Sequence, residues 1–328
     1  MLEISIYLPE NVLTNDGLKD EFPFWDSIKI QDKIGIRQRH IASEHDTALD
    51  LAFHASKKLL DNYEEISIDF IILCTQSPDY FLPTTACILQ DKLGLPKTIG
   101  AFDFNLGCSG YVYGLAIAKG LLFTGISKNL LLITSETYSK HIYKKDIANR
   151  AIFGDAATAT LINNADCLKI GEFTFGTDGR GKENLIVQNG GSRNAINPMA
   201  QEIEYGNGNL YTSNNLYMNG PEIFNFTIEN IPPLVEKNLE TNKLLLNDID
   251  YFIFHQANQF MLEYLRKKIG IPAEKFCVDL LNTGNTVSNT IPIALKNALD
   301  NKIIQKGDKV MMVGFGVGYS WGAIIIEI

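Results

Sequence analysis

The chain contains an internal duplication, and this repeat limits its fold more than any other feature of the sequence. The segment ISIDFIILCTQ at 66–76 is similar to NDIDYFIFHQA at 247–257, and each has an aspartate before a β-branched and aromatic run. Two further segments recur in the same order and at nearly the same offset. They are 101–120 with 276–299, and 128–136 with 308–316.

Continuous apolar runs that alternate with helical patterns are typical of parallel strands covered on both faces. We therefore predict an α/β fold built from two related halves, residues 1–171 and 172–328. Helices are predicted within 47–63 and 259–270, where apolar residues recur at helical spacing and the opposite face is polar and exposed to solvent. A Gly/Asn-rich insertion near 172–216 is predicted to form surface loops and hairpins.

Composition excludes several classes of function. The 328 residues are 45% hydrophobic and carry a net charge of −9, so the basic surface of a nucleic-acid-binding protein is not expected. The N-terminus lacks the pattern of a signal peptide and no apolar run is long enough to span a membrane, so we predict a cytoplasmic protein that binds no membrane. Five cysteines form neither a disulfide framework nor a Cys/His ligand cluster, and no metal site is predicted.

One cysteine lies where chemistry is expected. The stretch AFDFNLGCSGYVYGLAIAKG runs a predicted strand through Gly107 into Cys108 and then into a helix of small residues. Unpaired backbone N–H groups at a helix N-terminus favour thiolate over thiol, so Cys108 is a candidate nucleophile. The alternative is an inert buried thiol, which is what most buried cysteines are.

The duplication predicts which residues meet Cys108. Ligands of α/β folds lie at the carboxyl ends of parallel strands. The strand equivalent to the one that ends at Cys74 carries His255 at its end, and Gly284 and Asn285 occupy the place that corresponds to Cys108. We therefore expect a thiol, an imidazole and an amide in one cleft, although His255 alone could be a core histidine and Asn285 alone a turn residue.

Seven segments, in this order and spacing, resemble one family. They are GIRQRHIA, PDYFLPTTACILQDKLG, AFDFNLGCSGYVYGLA, IFGDAATATLI, HQAN, NTGNT and GFGVGYSWG. The chain is similar over nearly its whole length to the condensing enzymes of the thiolase superfamily, and among them to 3-oxoacyl-(acyl-carrier-protein) synthase III. The resemblance implies a five-layered αβαβα fold, a homodimer, and a catalytic triad of Cys108, His255 and Asn285.

The resemblance also implies a two-step reaction on phosphopantetheine thioesters, with no other cofactor. Cys108 takes the acyl group, and a malonyl thioester then loses CO₂ and attacks it. His255 and Asn285 would donate hydrogen bonds to the enolate oxygen, while backbone N–H groups at Cys108 and in the Gly316–Val317 turn would form an oxyanion hole.

Other positions depart from the family pattern. Where the family has a tryptophan before the GIR motif, alignment gives Lys29, with Trp25 displaced by four residues. An arginine of the coenzyme A site aligns with Ile147, although Arg150 is close, and Arg37 remains as a phosphate contact. These changes suggest an acyl donor other than a simple acyl-CoA.

Carrier-protein docking and the acyl tunnel are altered too. Phe260 and Asn225 replace basic residues of the family, and Leu82 replaces a phenylalanine that reaches over from the partner subunit. Three basic residues of the helix at 259–270 could instead meet an acidic acyl carrier protein, or could simply be a solvated helix end. They are Arg266, Lys267 and Lys268.

The leading hypothesis is a decarboxylating Claisen condensing enzyme that forms a 3-oxoacyl thioester in a specialised lipid, polyketide or aryl-polyene pathway. A second hypothesis keeps the triad but transfers the acyl group to an oxygen, nitrogen or sulfur nucleophile. A third is a silent subunit of a condensing heterodimer, which the intact Cys108, His255 and Asn285 disfavour.

Overall fold

The computed structural model describes residues 2–22, 26–167 and 169–328. The strands are β1 Glu3–Tyr7, β2 Asn11–Thr14, β3 Gln38–Ile41, β4 Phe70–Cys74, β5 Gly100–Phe104, β6 Asn129–Glu136, β7 Ala156–Asn163, β8 Thr174–Thr177, β9 Leu185–Val187, β10 Ile203–Glu204, β11 Leu210–Tyr211, β12 Leu216–Met218, β13 Tyr251–Phe254, β14 Lys309–Gly316 and β15 Ser320–Glu327. The α-helices are α1 Asn15–Glu21, α2 Ser27–Ile34, α3 Ala48–Leu60, α4 Thr85–Lys92, α5 Gly110–Phe123, α6 Ile147–Ile152, α7 Asn164–Cys167, α8 Gly220–Asn242, α9 Gln259–Ile269 and α10 Thr290–Asp300.

Two mixed sheets organise the fold. The first has the strand order β1-β7-β6-β4-β5, and the second has the order β13-β14-β15-β8. In the first sheet β4 pairs in parallel with β5 and β6, and in the second β13 pairs in parallel with β14. The parallel part of each sheet is the part that carries the duplicated segments, while β1, β7, β8 and β15 pair antiparallel.

Helices and sheets alternate in five layers, which confirms the predicted αβαβα architecture. Helices α3 and α4 cover the outer face of the first sheet. Helices α5 and α10 lie between the sheets, where Tyr111, Leu115, Ile291 and Leu295 are fully buried. Helices α8 and α9 cover the outer face of the second sheet. The middle layer therefore joins the two halves through one continuous apolar core.

The two predicted helices form for local reasons. Helix α3 begins after Thr47, whose side chain accepts the N–H of Asp50 while the Asp50 carboxylate accepts the N–H of Thr47. Helix α9 begins after Asn258 and ends at Gly270, which has a φ of 85°. Among the residues that the structure describes, no helix combines the length and apolar character needed to cross a membrane.

The duplicated strands correspond one to one, with one exception. Strands β4 and β13 match, as do β6 and β14. The repeat of 101–120 at 276–299 predicts a strand at the start of the second segment, and this is wrong, because Phe276 makes only an isolated bridge with Phe252. Beyond that bridge, Gln256 takes the place of a strand neighbour: its Nε2 donates to the carbonyls of Phe254 and Cys277, and its Oε1 accepts the N–H of Asp279.

The structure corrects one part of the prediction of a loop-rich insertion near 172–216. Its first strand, β8, is the edge of the second sheet and corresponds to β1 in the first sheet. The remainder forms the predicted surface structure, with the small sheets β9/β12 and β10/β11. The loop-rich insertion therefore begins after Thr177, because the duplicated half needs residues 174–177 to complete its sheet.

Candidate active site

The three predicted site residues line one cavity. Cys108, His255 and Asn285 all contribute to the wall of a cavity of about 160 Å³, which we call the inner cavity. Its other walls are largely apolar and include Phe153, Leu185, Met218, Ile223, Met261 and Phe315. Cys108 is 6% exposed, His255 2% and Asn285 5%, so the polar groups of the site are held away from bulk water.

Each of the three side chains is positioned by the duplicated architecture. Cys108 lies between β5 and α5. His255 directly follows β13, and its N–H donates to the carbonyl of Val313 on the neighbouring strand. Asn285 belongs to the turn at 282–286, which docks on the first half. There the N–H of Asn285 donates to Ile152 and its carbonyl accepts from Gly154.

Gly316 allows strand β14 to pass directly over the thiol. A Cβ atom built at Gly316 would lie 2.8 Å from Cβ and 2.9 Å from Sγ of Cys108, closer than side chains approach one another. The backbone N–H groups of Cys108 and Val317 lower the pKa of the thiol, and they remain the predicted donors of an oxyanion hole. Gly316 lines the inner cavity, while Val317 lines a second cavity beside it.

The thiol of Cys108 is protonated in the resting site. Burial raises its pKa to about 12, and negative charge on Glu136 adds to the shift, while the N–H groups of Cys108 and Val317 lower it. This balance does not support the prediction that the helix N-terminus favours the thiolate. Desolvation outweighs the two N–H groups, and α5 begins only at Gly110.

His255 is held as a neutral imidazole. Burial lowers its pKa to about 3. Its Nδ1 lies 2.8 Å from Oγ1 of Thr290, and its Nε2 lies 3.5 Å from Nδ2 of Asn285. The Asn285 amide is oriented by Val287, whose N–H donates to Oδ1 at 2.9 Å. The arrangement can present two hydrogen-bond donors to a single oxygen atom.

Glu136 is a buried acid beside the site that the sequence analysis missed. It is fully buried at the end of β6 and accepts hydrogen bonds from the N–H of Gln76 and the hydroxyls of Ser77 and Ser288. Burial raises its pKa to about 8. A signal was present, because Glu136 ends a duplicated strand just as Cys74 does.

Two larger cavities flank the inner one. One has a volume of about 540 Å³ and opens between α2, α6 and α9, and we call it the outer cavity. It shares Ile152 and Asn258 with the inner cavity. The side cavity, of about 550 Å³, shares Leu185 with it and is lined by Tyr138 and Val317. The site thus has space on two sides for parts of a substrate.

The other predicted binding residues are not brought to the inner cavity. Arg150 forms a bidentate ion pair with Glu21, in which two guanidinium nitrogens lie 2.6 and 2.9 Å from the two carboxylate oxygens. Arg37 is exposed, and its guanidinium donates to Asn282 in the turn that carries Asn285. Leu82 lies on the surface with 83% of its area exposed.

The basic residues of α9 divide into two kinds. Arg266 pairs with Glu263 and donates to the carbonyl of Ile271, so it caps the helix end. Lys267 and Lys268 are both exposed, and Lys268 donates to the carbonyl of Ile228. Of the replaced positions, Ile147 and Phe260 line the outer cavity and Asn225 is exposed. Trp25 lies outside the described residues, as does the side chain of Lys29.

Comparison with known proteins gives a consistent family. Residues 102–179 match the family model of 3-oxoacyl-[acyl-carrier-protein (ACP)] synthase III, and residues 239–328 match the model of its C-terminal part. The beta-ketoacyl-[acyl-carrier-protein] synthase III of Clostridium perfringens strain ATCC 13124 is 37% identical over 100% of this chain and 98% of its own length. That of Caldanaerobacter subterraneus subsp. tengcongensis is 37% identical over 100% of this chain and 97% of its own length.

Solved structures agree. A crystal structure of a 3-oxoacyl-(acyl-carrier-protein) synthase III has a TM-score of 0.96 at 46% identity and covers 99% of this chain and 98% of that chain. The 3-oxoacyl-(acyl-carrier protein) synthase of Burkholderia xenovorans LB400 has a TM-score of 0.86 at 34% identity and covers 100% of this chain and 94% of that chain.

Proposed function

Since the chain belongs to the 3-oxoacyl-(acyl-carrier-protein) synthase III family, we propose that it is a decarboxylating condensing enzyme in which Cys108 carries the acyl group. The observation that supports this most directly is the presence of Cys108, His255 and Asn285 in the wall of one buried, largely apolar cavity. The thiol supplies a nucleophile, and the imidazole and amide supply hydrogen-bond donors. This chemistry requires no resident cofactor.

In the first half-reaction the Cys108 sulfur attacks the carbonyl of an acyl thioester. The new bond forms to sulfur, the carrier thiol leaves, and the Cys108 proton goes to that thiol. The N–H groups of Cys108 and Val317, which lower the pKa of the thiol, would stabilise the tetrahedral oxyanion. Because the resting thiol is protonated, the proton must leave as the sulfur attacks.

In the second half-reaction a malonyl thioester loses CO₂. The bond between its carboxylate and α-carbon breaks, and the electron pair forms an enolate whose oxygen would accept hydrogen bonds from His255 and Asn285. The α-carbon attacks the acyl-Cys108 carbonyl, the thioester bond breaks, and the released Cys108 thiolate takes one proton from solvent. The product is a 3-oxoacyl thioester.

The flanking cavities suggest how the substrates enter. The outer cavity, with a volume of about 540 Å³, would hold a phosphopantetheine arm that enters past Asn258, and the side cavity would receive the acyl chain beyond Leu185. An acyl carrier protein is the proposed partner at the outer cavity, where Lys33 is a basic residue of the wall and exposed Lys267 lies further along α9. Leu82 and its exposed neighbours Tyr80 and Phe81 are the proposed contact of a homodimer.

Ile147 and Phe260 stand in the wall of the outer cavity where the family has arginines, so that Lys33 is the basic residue among the described residues that line it. Both residues contribute apolar surface, and Arg150 is committed to Glu21. This lining favours a carrier-protein thioester over coenzyme A and suits a specialised role in lipid or polyketide synthesis.

The test is incubation with acyl-CoA and acyl-carrier-protein donors of several chain lengths, followed by intact-mass measurement. We expect an acyl adduct on the wild-type chain and none on Cys108→Ala, with more adduct from carrier-protein donors. Cys87→Ala is the matched control, because this exposed cysteine is remote from the inner cavity and its loss should leave the adduct unchanged.

Release of CO₂ from malonyl-carrier protein separates the remaining possibilities. Condensation predicts CO₂ and a 3-oxoacyl product that depend on Cys108. An adduct that passes to an oxygen, nitrogen or sulfur nucleophile without CO₂ would identify a simple acyltransferase. Failure of every donor to form an adduct would favour a silent subunit and contradict the proposal.

A further inference from the structure

Thr290 is the residue that contacts the back of the His255 ring. It is the first residue of α10, and its side chain is 3% exposed in the middle layer of the fold. Its Oγ1 lies 2.8 Å from Nδ1 of His255 and 3.1 Å from the carbonyl oxygen of Val287. A threonine hydroxyl has one hydrogen, so it can donate to only one of these two acceptors at a time.

The Val287 carbonyl does not need the hydroxyl. It already accepts the backbone N–H of Thr290, through the turn that leads into α10. The hydroxyl hydrogen can therefore turn to Nδ1, the nearer of its two partners, and no buried carbonyl is left without a hydrogen bond. A ring that accepts at Nδ1 carries its proton on Nε2 when it is neutral.

We propose that the Thr290 hydroxyl sets the tautomer of His255, by donating to Nδ1 and so keeping the proton on Nε2. Thr290 is thus a positioning residue for the decarboxylation step, and this inference rests on the proposed function. An Nε2–H faces the inner cavity as a donor, whereas the opposite tautomer would turn a lone pair toward the negatively charged enolate oxygen.

The position of Asn285 supports this tautomer. Because Val287 donates to Oδ1, the amide group must present Nδ2 to His255. The separation of 3.5 Å between Nδ2 and Nε2 is at the outer limit of a hydrogen bond. Such a distance suits two donors that are aimed at a third atom between them, and the thioester oxygen of the malonyl group would be that atom.

Three variants test the role of the hydroxyl. Thr290→Val keeps the β-branched shape and removes the hydroxyl, whereas Thr290→Ser keeps the hydroxyl. The control is Thr160→Val, which removes a similarly buried hydroxyl in β7 that contacts Tyr111. We expect Thr290→Val to release CO₂ from malonyl-carrier protein about 10–100-fold more slowly, the loss seen in metal sites when the partner that fixes a histidine tautomer is removed. Thr290→Ser and Thr160→Val should stay near the wild-type rate, and acylation of Cys108 should be normal in all three.

The ring itself gives a second, independent readout. In protein labelled with ¹⁵N-histidine, the His255 signals, assigned by their loss in His255→Ala, should show a protonated Nε2 and an unprotonated Nδ1. A protonated Nδ1 in the wild-type protein would overturn the proposal, as would a Thr290→Val variant with the wild-type CO₂ rate or a Thr290→Ser variant as slow as the valine variant. If the wild-type protein forms no adduct and releases no CO₂, the proposed function fails, while the spectrum still decides the tautomer.

Discussion

The backbone N–H of Val287 donates a hydrogen bond of 2.9 Å to Oδ1 of Asn285. Val287 has a φ of 58°, a conformation that β-branched residues rarely adopt and that costs on the order of 1–3 kcal/mol. The strained residue thereby fixes which end of the Asn285 amide faces His255. Strain that is maintained by a buried turn and used to aim a donor is what a functional site is expected to show.

This relationship leads to a prediction for Asn285→Asp and Asn285→Ala. Aspartate keeps the oxygen that accepts from Val287 but loses the N–H donor, while alanine loses both. Both variants should release CO₂ about 10²–10³-fold more slowly, because a donor to the enolate oxygen is gone, and both should still form the acyl adduct. Stopped-flow CO₂ assays beside intact-mass spectra measure the two steps. A wild-type CO₂ rate in Asn285→Asp would show that Nδ2 is not a donor in the reaction.

The buried thiol predicts an unusual pH dependence of alkylation. Since the pKa of Cys108 is raised to about 12, the thiolate fraction should grow about tenfold per pH unit throughout the range from pH 6 to 9. Iodoacetamide labelling of the Cys108 peptide, followed by mass spectrometry, should therefore rise without a plateau. The exposed Cys87 provides an internal reference in the same digest. A plateau near neutral pH would mean that the helix and the N–H groups outweigh burial after all.

Glu136 predicts a loss of stability as the pH rises. Its folded-state pKa is raised from 4.5 to about 8, so the folded protein binds more protons than the unfolded chain between these values. The free energy of unfolding should fall as the pH rises through this window and then level off. In Glu136→Gln this contribution is absent, so the variant should lose less stability over the same range. Urea denaturation at pH 5, 7 and 9 measures the difference, and parallel curves for the two proteins would contradict the prediction.

The sequence predicted the site because Cys108 and His255 follow strands β5 and β13, and Asn285 occupies the position in the second half that corresponds to Cys108. Local apolar runs determine where β4 and β13 end, and the duplication determines that these ends face one another, so Cys108, His255 and Asn285 could be brought together without coordinates. Glu136 follows the same rule at the end of β6. Its burial beside Cys108 depends on contacts with Ser77 and Ser288, which the local sequence does not show.

Other features depend on contacts that no local pattern reveals. Arg150 forms an ion pair with Glu21, which is 129 residues away in sequence. The role of Thr290 depends on the φ of Val287 and on where the Val287 carbonyl points. The segment at 276–280 reads as a strand, but Gln256 makes the hydrogen bonds that a neighbouring strand would make. In each case a distant partner, and not the local sequence, decides the outcome.

Gly316 gives the last prediction. A methyl group at this position would lie 2.9 Å from Sγ of Cys108, so Gly316→Ala must push the thiol or strand β14 aside by several tenths of an ångström. A displacement on the order of 1 Å can lower a rate by about 10²-fold, and we expect a loss of that size in Cys108 acylation. Gly120→Ala is the matched control, because a Cβ at this helical position meets no atom within 4 Å. That variant should acylate normally and be more stable by about 0.5–1 kcal/mol, since alanine is the better helix former. Intact-mass time courses and urea midpoints test both variants, and a Gly316→Ala variant that acylates at the wild-type rate would show that the close approach of β14 is not needed to place the sulfur.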